Sequence, residues 1–440
     1  MQAQGTRSTI GIQQETTYGV TPGGDAANTP TATASLQKVY FETESIAASR
    51  ELLTSKSISG TRNPVAPIQG NIDVSGGLTL ELQAYLATLF YAAGGSVQTT
   101  VTGAGTGEVL GTALTTPTGV IDPLNLTLTI TATAHGIVVG DVLFLGTGNT
   151  PTGLNSIYCR CIKVVSATVF VVRVPQGITG VATLGAALKK VTTPATTGYT
   201  HVIKFGNVLP SYTIEQGFTD IAEYFLYNGM KVNKLALNMA PVGFQKLTLD
   251  FSGKKETVGT SAYAAPSDPS GVGKAAFSGF QGTLTEGATD AAGTGGNILA
   301  VITKCDLSLD NALDTGIYCL GGAGARGALP EGLVKLSGTL EALFQDSDDG
   351  TTFNSLGLYT KATAFTKTSL LLNYTIGSGA GTASNETLSI YIPEVYYKQD
   401  SPSVSGPGGV LLNLPWEAHS NSNAVATVMQ VTIKSPQLAV

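Results

Sequence analysis

One loop of the sequence has the spacing of a dinucleotide-binding motif. Gly322, Gly324 and Gly327 fit the pattern Gly-x-Gly-x-x-Gly, which binds a pyrophosphate when the loop opens a helix whose N-terminus faces the phosphates. Here Pro330 and Gly332 follow at once, and an alternating apolar run after them indicates a strand. Because no helix can begin at this loop, the sequence argues against nucleotide binding.

The three histidines, His135, His201 and His419, are candidates for proton transfer or metal binding. They lie far apart in the sequence, and none belongs to a His-Glu-x-x-His motif. The chain also lacks a Gly-x-Ser-x-Gly elbow and a Gly-Lys-Ser/Thr phosphate loop. His135 falls between two predicted strands, where a turn histidine is a better interpretation than a general base. We therefore expect no catalytic residues and no enzyme activity.

The cysteines and one carboxylate cluster are the other candidates for metal sites. Cys159 and Cys161 are two residues apart on a predicted strand, which is not the spacing of a zinc site. With Cys305 and Cys319 they are expected to be reduced, buried thiols. The run Asp346–Gly350 lacks the alternating spacing of a calcium loop after its second aspartate, so a solvated turn is expected. The sequence predicts no metal and no cofactor.

Composition indicates a β-protein with few surface charges. Of the 440 residues 42% are hydrophobic and only 12% are charged, and there are 54 glycines. This length suits two to four domains, and the glycines suit strands joined by many turns. Low charge favours a surface covered by neighbouring subunits, and the alternative is a weakly charged secreted β-protein. The net charge of −6 argues against nucleic-acid binding by the chain as a whole.

No segment of the sequence is predicted to enter or cross a membrane. The longest apolar stretch is too short to span a bilayer. The start of the chain has no apolar run of the kind found in a signal peptide. We therefore expect the protein to be made and kept in the cytosol, or released by lysis.

A nine-residue pattern occurs twice, at Gly70–Leu78 and at Gly332–Leu340. Both copies read glycine, any residue, aliphatic, any, aliphatic, serine, glycine, any, leucine. The apolar residues alternate, which is the period of a half-buried strand. Since nothing in the pattern can perform chemistry, the repeat predicts architecture, namely two related β-domains in one chain.

The predicted elements around the first copy include two short helices. After Leu78 the apolar period changes from alternating to helical, which predicts a strand followed by a helix that ends at Gly94-Gly95. Thr219 is a candidate N-cap for a second helix over Asp220–Tyr227, which Asn228-Gly229 would end.

The sequence divides into a first β-domain, an inserted module, a loop and a second β-domain. The first domain comprises residues 1–95 and 199–258. Residues 96–198 are rich in Thr, Val and Gly between linker-like flanks, and predict a small inserted all-β domain. Residues 259–297 predict a Gly/Ala-rich loop, and residues 298–440 predict the second β-domain.

Several stretches of the sequence resemble the major tail tube proteins of long-tailed bacteriophages. They are Glu15–Pro22, Ser59–Arg62, Leu209–Phe218, Phe225–Asn233, Phe251–Thr257 and Leu329–Gly332. The segment Ser96–Thr197 is instead similar to small β-modules inserted in many phage structural proteins. None of these stretches contains a catalytic motif, so the specificity of the resemblance lies in their number and order.

The resemblance implies a mainly β protein with two tail-tube-like β-sandwich, barrel-forming domains and flanking short helices. Such proteins assemble into rings that stack into a tube, and the tube conducts DNA without binding it specifically. Two domains per chain would make the ring a trimer with pseudo-sixfold symmetry rather than a hexamer. Implied partners are the tape-measure, tail-tip and tail-terminator proteins, and the implied location is the virion tail after synthesis in the host cytoplasm. The alternative is an adhesin or tail decoration protein that binds the host surface through the inserted domain.

The resemblance also suggests which residues would face the tube lumen and which would contact neighbouring rings. The repeat strands are the candidates for the lining, with Asp73, Ser75, Lys335 and Ser337 pointing away from the core. A neutral or acidic lumen would repel phosphate and let DNA slide, and Lys335 in the place of Asp73 complicates that expectation. The loops Glu51–Gln69 and Leu313–Pro330 are candidates for stacking contacts, with Thr54, Arg62, Asn63 and Arg326 as the candidate residues. The inserted domain is expected to project outward from the tube, because an insertion of that size could not lie in the lumen.

Overall fold

The protein is mainly antiparallel β-structure, as the sequence predicts. The structure is a computed structural model, and it describes residues 2–438 except 23–35, 59, 61, 104, 186, 270–274, 346–354, 405–407, 422 and 424. The carboxylate run Asp346–Gly350 therefore lies outside the described residues.

The N-terminal segment contains the predicted passage from strand to helix. Helix α1 ends where Gly95 takes a left-handed conformation with φ 82°, as the Gly94-Gly95 pair predicts. The elements are β1 (Ser8–Gln14), β2 (Gln37–Val39), β3 (Thr43–Glu44), β4 (Ala47–Leu53), β5 (Ile68–Glu81), α1 (Ala87–Gly94) and β6 (Gly95–Val101).

The inserted module is all-β and has a core of its own, built from residues such as Leu128, Leu143 and Phe170. Strand β6 belongs to the main sheet, because it pairs along its length with β15, as Val101 does with Tyr199, and it contacts the module through a pairing of Thr99 with Tyr158. The module is thus inserted at the tip of a hairpin and begins after Val101 rather than at residue 96. Its strands are β7 (Val109–Ala113), β8 (Thr118–Asp122), β9 (Thr127–Thr131), β10 (Val142–Leu145), β11 (Ile157–Ser166), β12 (Val169–Arg173), β13 (Val181–Thr183) and β14 (Leu188–Thr193).

After the module the chain forms β15 (Tyr199–Phe205), β16 (Tyr212–Phe218), β17 (Glu223–Met239), β18 (Lys246–Gly253) and β19 (Lys255–Gly259). The predicted helix Asp220–Tyr227 is wrong. Residues 219–222 make the turn between β16 and β17, and residues 224–227 pair with β16 on one side and β19 on the other. Pairing on both sides and aromatic side chains override the capping signal. Gly229, with φ 69°, lies inside β17 and does not end it.

The C-terminal part contains β20 (Gly282–Glu286), β21 (Asn297–Ile298), β22 (Ile302–Asp310), β23 (Lys335–Leu343), α2 (Ser355–Thr363), β24 (Thr368–Thr375), β25 (Thr387–Tyr397), β26 (Leu411–Ala418) and β27 (Gln430–Ser435). The segment 259–297 is more than a loop. Strand β20 lies within it and pairs along its length with β24. Leu284 is the only leucine in this segment, so the sequence shows no alternating apolar pattern from which strand β20 could be predicted.

Two sheets pack face to face around one core. The front sheet has the order β4–β5–β18–β17–β22–β23–β26, with the end of β25 added beyond β26. The back sheet has the order β6–β15–β27–β25–β24–β20–β21. Alternate residues of both sheets, such as Leu249, Leu340 and Ile390, are buried in the same hydrophobic cluster. The two predicted domains are therefore joined through the β17–β22 pair and share a core.

The same order of elements occurs twice. In what we call the first half, β5 pairs with β4 and β18, and it is followed by α1 and the β6–β15 hairpin. In the second half, β23 pairs with β22 and β26, and it is followed by α2 and the β24–β25 hairpin. The repeated nonapeptide thus lies on strands with equivalent places in the two halves.

His201 predicts a loss of stability in acid. Its ring is fully buried, where Nδ1 bonds the Thr99 hydroxyl and Nε2 the carbonyl of Gln437, and burial lowers its pKa to about 4. The imidazole of His201 therefore binds a proton near pH 6.5 in the unfolded chain but only near pH 4 in the folded chain. We expect the free energy of unfolding to decrease by up to about 3 kcal/mol as the pH is lowered through this window.

Urea denaturation between pH 4.5 and 7 measures this loss. His201→Asn should be less stable at pH 7 but should show a flatter dependence on pH. An unchanged slope in the variant would assign the acid sensitivity to other groups.

Candidate functional site

One face of the front sheet points away from the core and is mainly polar, with Ala236 and the opposed pair Leu343 and Leu411 as apolar residues on it. Directly opposed residues keep this face in register: Ser75 with Ser252, Ala236 with Ser308, and Ser308 with Ser337. We call it the polar face. Its side chains come from alternate positions of six strands and include Asp73, Ser75, Thr79, Thr248, Asp250, Lys234, Ala236, Asn238, Lys304, Asp306, Ser308, Asp310, Lys335, Ser337, Thr339, Glu341, Asn413 and Glu417.

Several charged side chains on the polar face are paired over short distances. The ammonium group of Lys304 lies 2.7 Å from the Asp306 carboxylate, which raises the pKa of Lys304. Lys234 lies 3.9 Å from Asp310, and Lys335 stands opposite the same aspartate in the β22–β23 register. The side chains named above include six carboxylates and three ammonium groups, so the face offers no continuous positive surface.

All four candidate lining residues lie on the polar face. Ser75 and Ser337 hold equivalent positions, and each is opposed by a serine of the neighbouring strand. Lys335 is exposed, whereas the Asp73 carboxylate forms an ion pair with the Arg326 guanidinium. The structure brings the two repeat strands into one sheet, separated by β18, β17 and β22.

Arg326 occupies a different environment from the one expected of a ring-stacking residue. Its side chain is 4% exposed, and its guanidinium donates to the carbonyl oxygens of Val74 at 3.1 Å and Gly253 at 2.8 Å. Nε donates to the Thr315 carbonyl, within the same loop. Arg326 therefore clamps the second half onto the first-half repeat strand and has no exposed group for contacts between rings. We call residues 313–330 the bridging loop.

The loop between β4 and β5, residues 54–67, is exposed where it is described. Thr54, Arg62 and Asn63 are all at the surface. Apolar side chains accompany them, with Ile58 wholly exposed and Val65 half exposed. We call this segment the hairpin loop.

Sequence reasoning missed two polar centres, one within the first half and one that joins the second half to the first. Glu15 is buried and accepts hydrogen bonds from the hydroxyls of Ser211 and Thr213 and from the amides of Gly19 and Gly229. Burial raises its pKa, while these donors favour the ionised form.

The second centre is Glu331. It takes a 2.7 Å ion pair from Lys231 and a hydrogen bond from the Leu209 amide. The only sequence signal for either glutamate was its place in a stretch that resembles tail tube proteins.

The histidine in a turn and the buried cysteines contribute to packing and to local hydrogen bonds. His135 accepts from the Ile137 amide and lies in a turn against Phe170, as expected. Cys159, Cys161 and Cys305 are buried, whereas Cys319 is exposed, contrary to expectation. Burial raises the pKa of Cys159 to about 12, which leaves this thiol unreactive.

The glycine motif at 322–327 forms turns, and β23 follows it without a helix. Within the described ranges no group of His, Cys, Asp and Glu side chains is placed to hold a metal ion. In the same part of the chain, the helices are too short or too polar to span a bilayer.

The most distinctive surface of the sandwich is this broad, mainly polar sheet face. A family model described as phage tail tube protein matches residues 5–418, nearly the whole chain. The chain therefore belongs to the phage tail tube protein family, and its place is in the phage tail. No curated protein matches the sequence.

Proposed function

We propose that three copies of this chain close into a ring with pseudo-sixfold symmetry, and that stacked rings form the tube through which DNA passes. The observation that carries this proposal is the repeated order of elements within one continuous front sheet. Each half supplies an equivalent set of strands, so the chain already resembles two neighbouring subunits joined at the β17–β22 pair. Three chains then provide the six equivalent sets that a ring of single-domain subunits would have.

The edges of the front sheet support closure into a barrel. Strand β4 pairs with β5 on one side, and nearly all its residues are exposed. At the other edge lies the end of β25, where Val395–Tyr397 pair with β26 and Val395 also pairs with Thr368 of β24, which leaves Tyr396 and Tyr397 at the edge. Unpaired edges of this kind invite pairing with another strand, and barrel closure removes them. We infer that β4 of one chain pairs with the end of β25 in the next.

The polar face would then line the lumen. Its hydroxyls, amides and paired charges give phosphate groups nothing to bind strongly, so DNA would slide through without specific contacts. Tape-measure, tail-tip and tail-terminator proteins would be the other partners of the tube, as is usual for the family that the sequence resembles.

Counting the chains in each ring by electron microscopy tests the proposal. Three chains per ring, each giving two similar lobes, is the expected result. Six full chains per ring would overturn the stoichiometry, and a protein that forms neither rings nor tubes would overturn the function.

Added positive charge on the polar face is expected to slow DNA ejection. The triple variant Ala236→Lys, Ser308→Lys, Ser337→Lys places three adjacent cations on neighbouring strands. Each would attract phosphate and release counterions, so phage carrying it should eject DNA several-fold more slowly at low salt than at high salt.

The matched control places three lysines on the outward face of the back sheet, at Thr283, Asn373 and Thr432. These should leave ejection unchanged. Equal slowing by both triple variants would argue against the polar face as the lumen.

Removal of the inserted module is expected to spare ring assembly. Val101 and Tyr199 are paired neighbours, so a two-residue Asn-Gly turn can replace residues 102–198. The aromatic side chain of Tyr199 packs on the module, so Tyr199→Thr is included in the same variant to avoid exposing that side chain. We expect rings with an unchanged number of chains and an unfolding free energy of the main core within about 1 kcal/mol of the full chain. Loss of rings with the fold intact would instead give the module a role in assembly.

A further inference from the structure

We infer that the hairpin loop of each chain clamps the start of β23 in the neighbouring chain of the same ring, as the bridging loop clamps β5 within one chain. This inference rests on the proposed ring. The partner is a second copy of this chain, and the surface it binds is the beginning of the second repeat strand.

The template for this contact is visible inside the chain. The bridging loop starts beyond β22 and reaches past the ends of β17 and β18 to β5. There the Gly324 carbonyl accepts from the amide of Ile72 at 2.8 Å, and the Tyr318 hydroxyl donates to the carbonyl of the same residue at 3.2 Å. Arg326 completes the clamp on Val74 and Asp73. A loop of the second half thus secures the repeat strand of the first half across the junction between them.

The hairpin loop holds the equivalent place in the first half. It connects β4 to β5, just as the bridging loop connects β22 to β23, and β4 and β22 pair equivalently with the two repeat strands. In the closed ring the first half of one chain lies beside the second half of the chain before it. If the hairpin loop crosses two strands, as the bridging loop crosses β17 and β18, it contacts β23 of that chain.

The surfaces left uncovered within one chain match this contact. Leu333, which corresponds to the exposed Asn71 beside Gly324 of the bridging loop, is 85% exposed, and Lys335 on the same face is also exposed. Ile58 and Val65 of the hairpin loop are exposed apolar side chains. Burial of these residues against one another would remove both apolar surfaces from water.

Charge makes the second contact different from its template. Arg62 precedes β5 much as Arg326 precedes β23, but Lys335 replaces the Asp73 that pairs with Arg326. The nearby carboxylate is Glu417, which stands opposite Ser337 on β26, is half exposed and already forms an ion pair with Lys398. Arg62 would therefore approach Glu417, and Lys335 would keep its place opposite Asp310.

Cysteine cross-linking of the assembled full chain tests the inference. In a Cys319→Ser background, which removes the exposed thiol, Arg62→Cys is combined with Leu333→Cys. A bis-maleimide should join chains into a covalent ring that does not grow beyond three chains on a denaturing gel. The matched control combines Arg62→Cys with Glu81→Cys, at the opposite end of β5, and should give no cross-link.

The remaining outcomes separate this inference from the proposed function. Cross-linking of the Glu81 pair into an open ladder would show that the hairpin loop reaches the next ring, which would overturn the inference. Rings seen by microscopy without cross-linking of either pair would overturn it and leave the proposed function standing. Absence of rings in the Cys319→Ser protein would overturn both.

Discussion

Gly338→Ala is expected to destabilise the protein by about 3 kcal/mol or more, since the repeat strand has no room for a side chain at this position. A Cβ at 338 would overlap the carbonyl oxygen of Asp306 and the ring of Trp416. Both neighbours are fixed, the first by β22 pairing and the second by complete burial in the core. Trp416 is the only tryptophan, so its fluorescence during urea denaturation reports on the perturbed site directly.

The equivalent glycine of the first repeat should behave alike. Gly76 has φ 147°, and a Cβ there would overlap the Ser45 carbonyl and the backbone of Ile46. Gly111→Ala is the control, because a Cβ on that strand meets only ordinary contacts and should be neutral or slightly stabilising. Equal effects at 111 and 338 would show that close packing does not explain the repeated glycine.

Arg326→Ala is expected to cost about 2–4 kcal/mol of unfolding free energy. The change removes the donors that satisfy the carbonyls of Val74 and Gly253, and it leaves Asp73 without its ion pair. Arg326→Lys should recover only part of the loss, because an ammonium group cannot reproduce the guanidinium fork. Urea denaturation of the three proteins provides the comparison.

Arg62→Ala is the matched control for this prediction. Arg62 also precedes a repeat strand but is exposed, so the monomer should change by less than about 0.5 kcal/mol. A similar loss for Arg62→Ala and Arg326→Ala would mean that burial and the carbonyl contacts of Arg326 contribute little.

Local pattern was sufficient to predict the elements that carry their own signal. The alternation in Gly70–Leu78 predicted β5, and the change of period after Leu78 predicted α1. The composition of residues 96–198 predicted the module, although one flanking strand belongs to the main sheet. The polar face could be anticipated at Ser75 and Ser337, because strand alternation decides which side chains share a face.

The errors come from contacts that join distant parts of the chain. Residues 220–227 read as a capped helix because their pairing with β19 is invisible in local sequence. Arg326 meets Asp73 across 253 positions, and no local pattern distinguishes that buried cation from the exposed Arg62. Glu15 likewise depends on donors that lie nearly two hundred residues away.

The junction between β17 and β22 has a consequence for how rings would assemble. Because one polypeptide carries both strands, half of the lateral junctions in a ring of three chains form during folding, without diffusion of separate subunits. The tether sets an effective concentration on the order of millimolar for that contact. The covalent connection also makes first and second halves alternate around the ring. Asp73 and Lys335 would therefore alternate among the six equivalent places of the ring. A ring of identical single-domain subunits could not hold two kinds of position in a defined order.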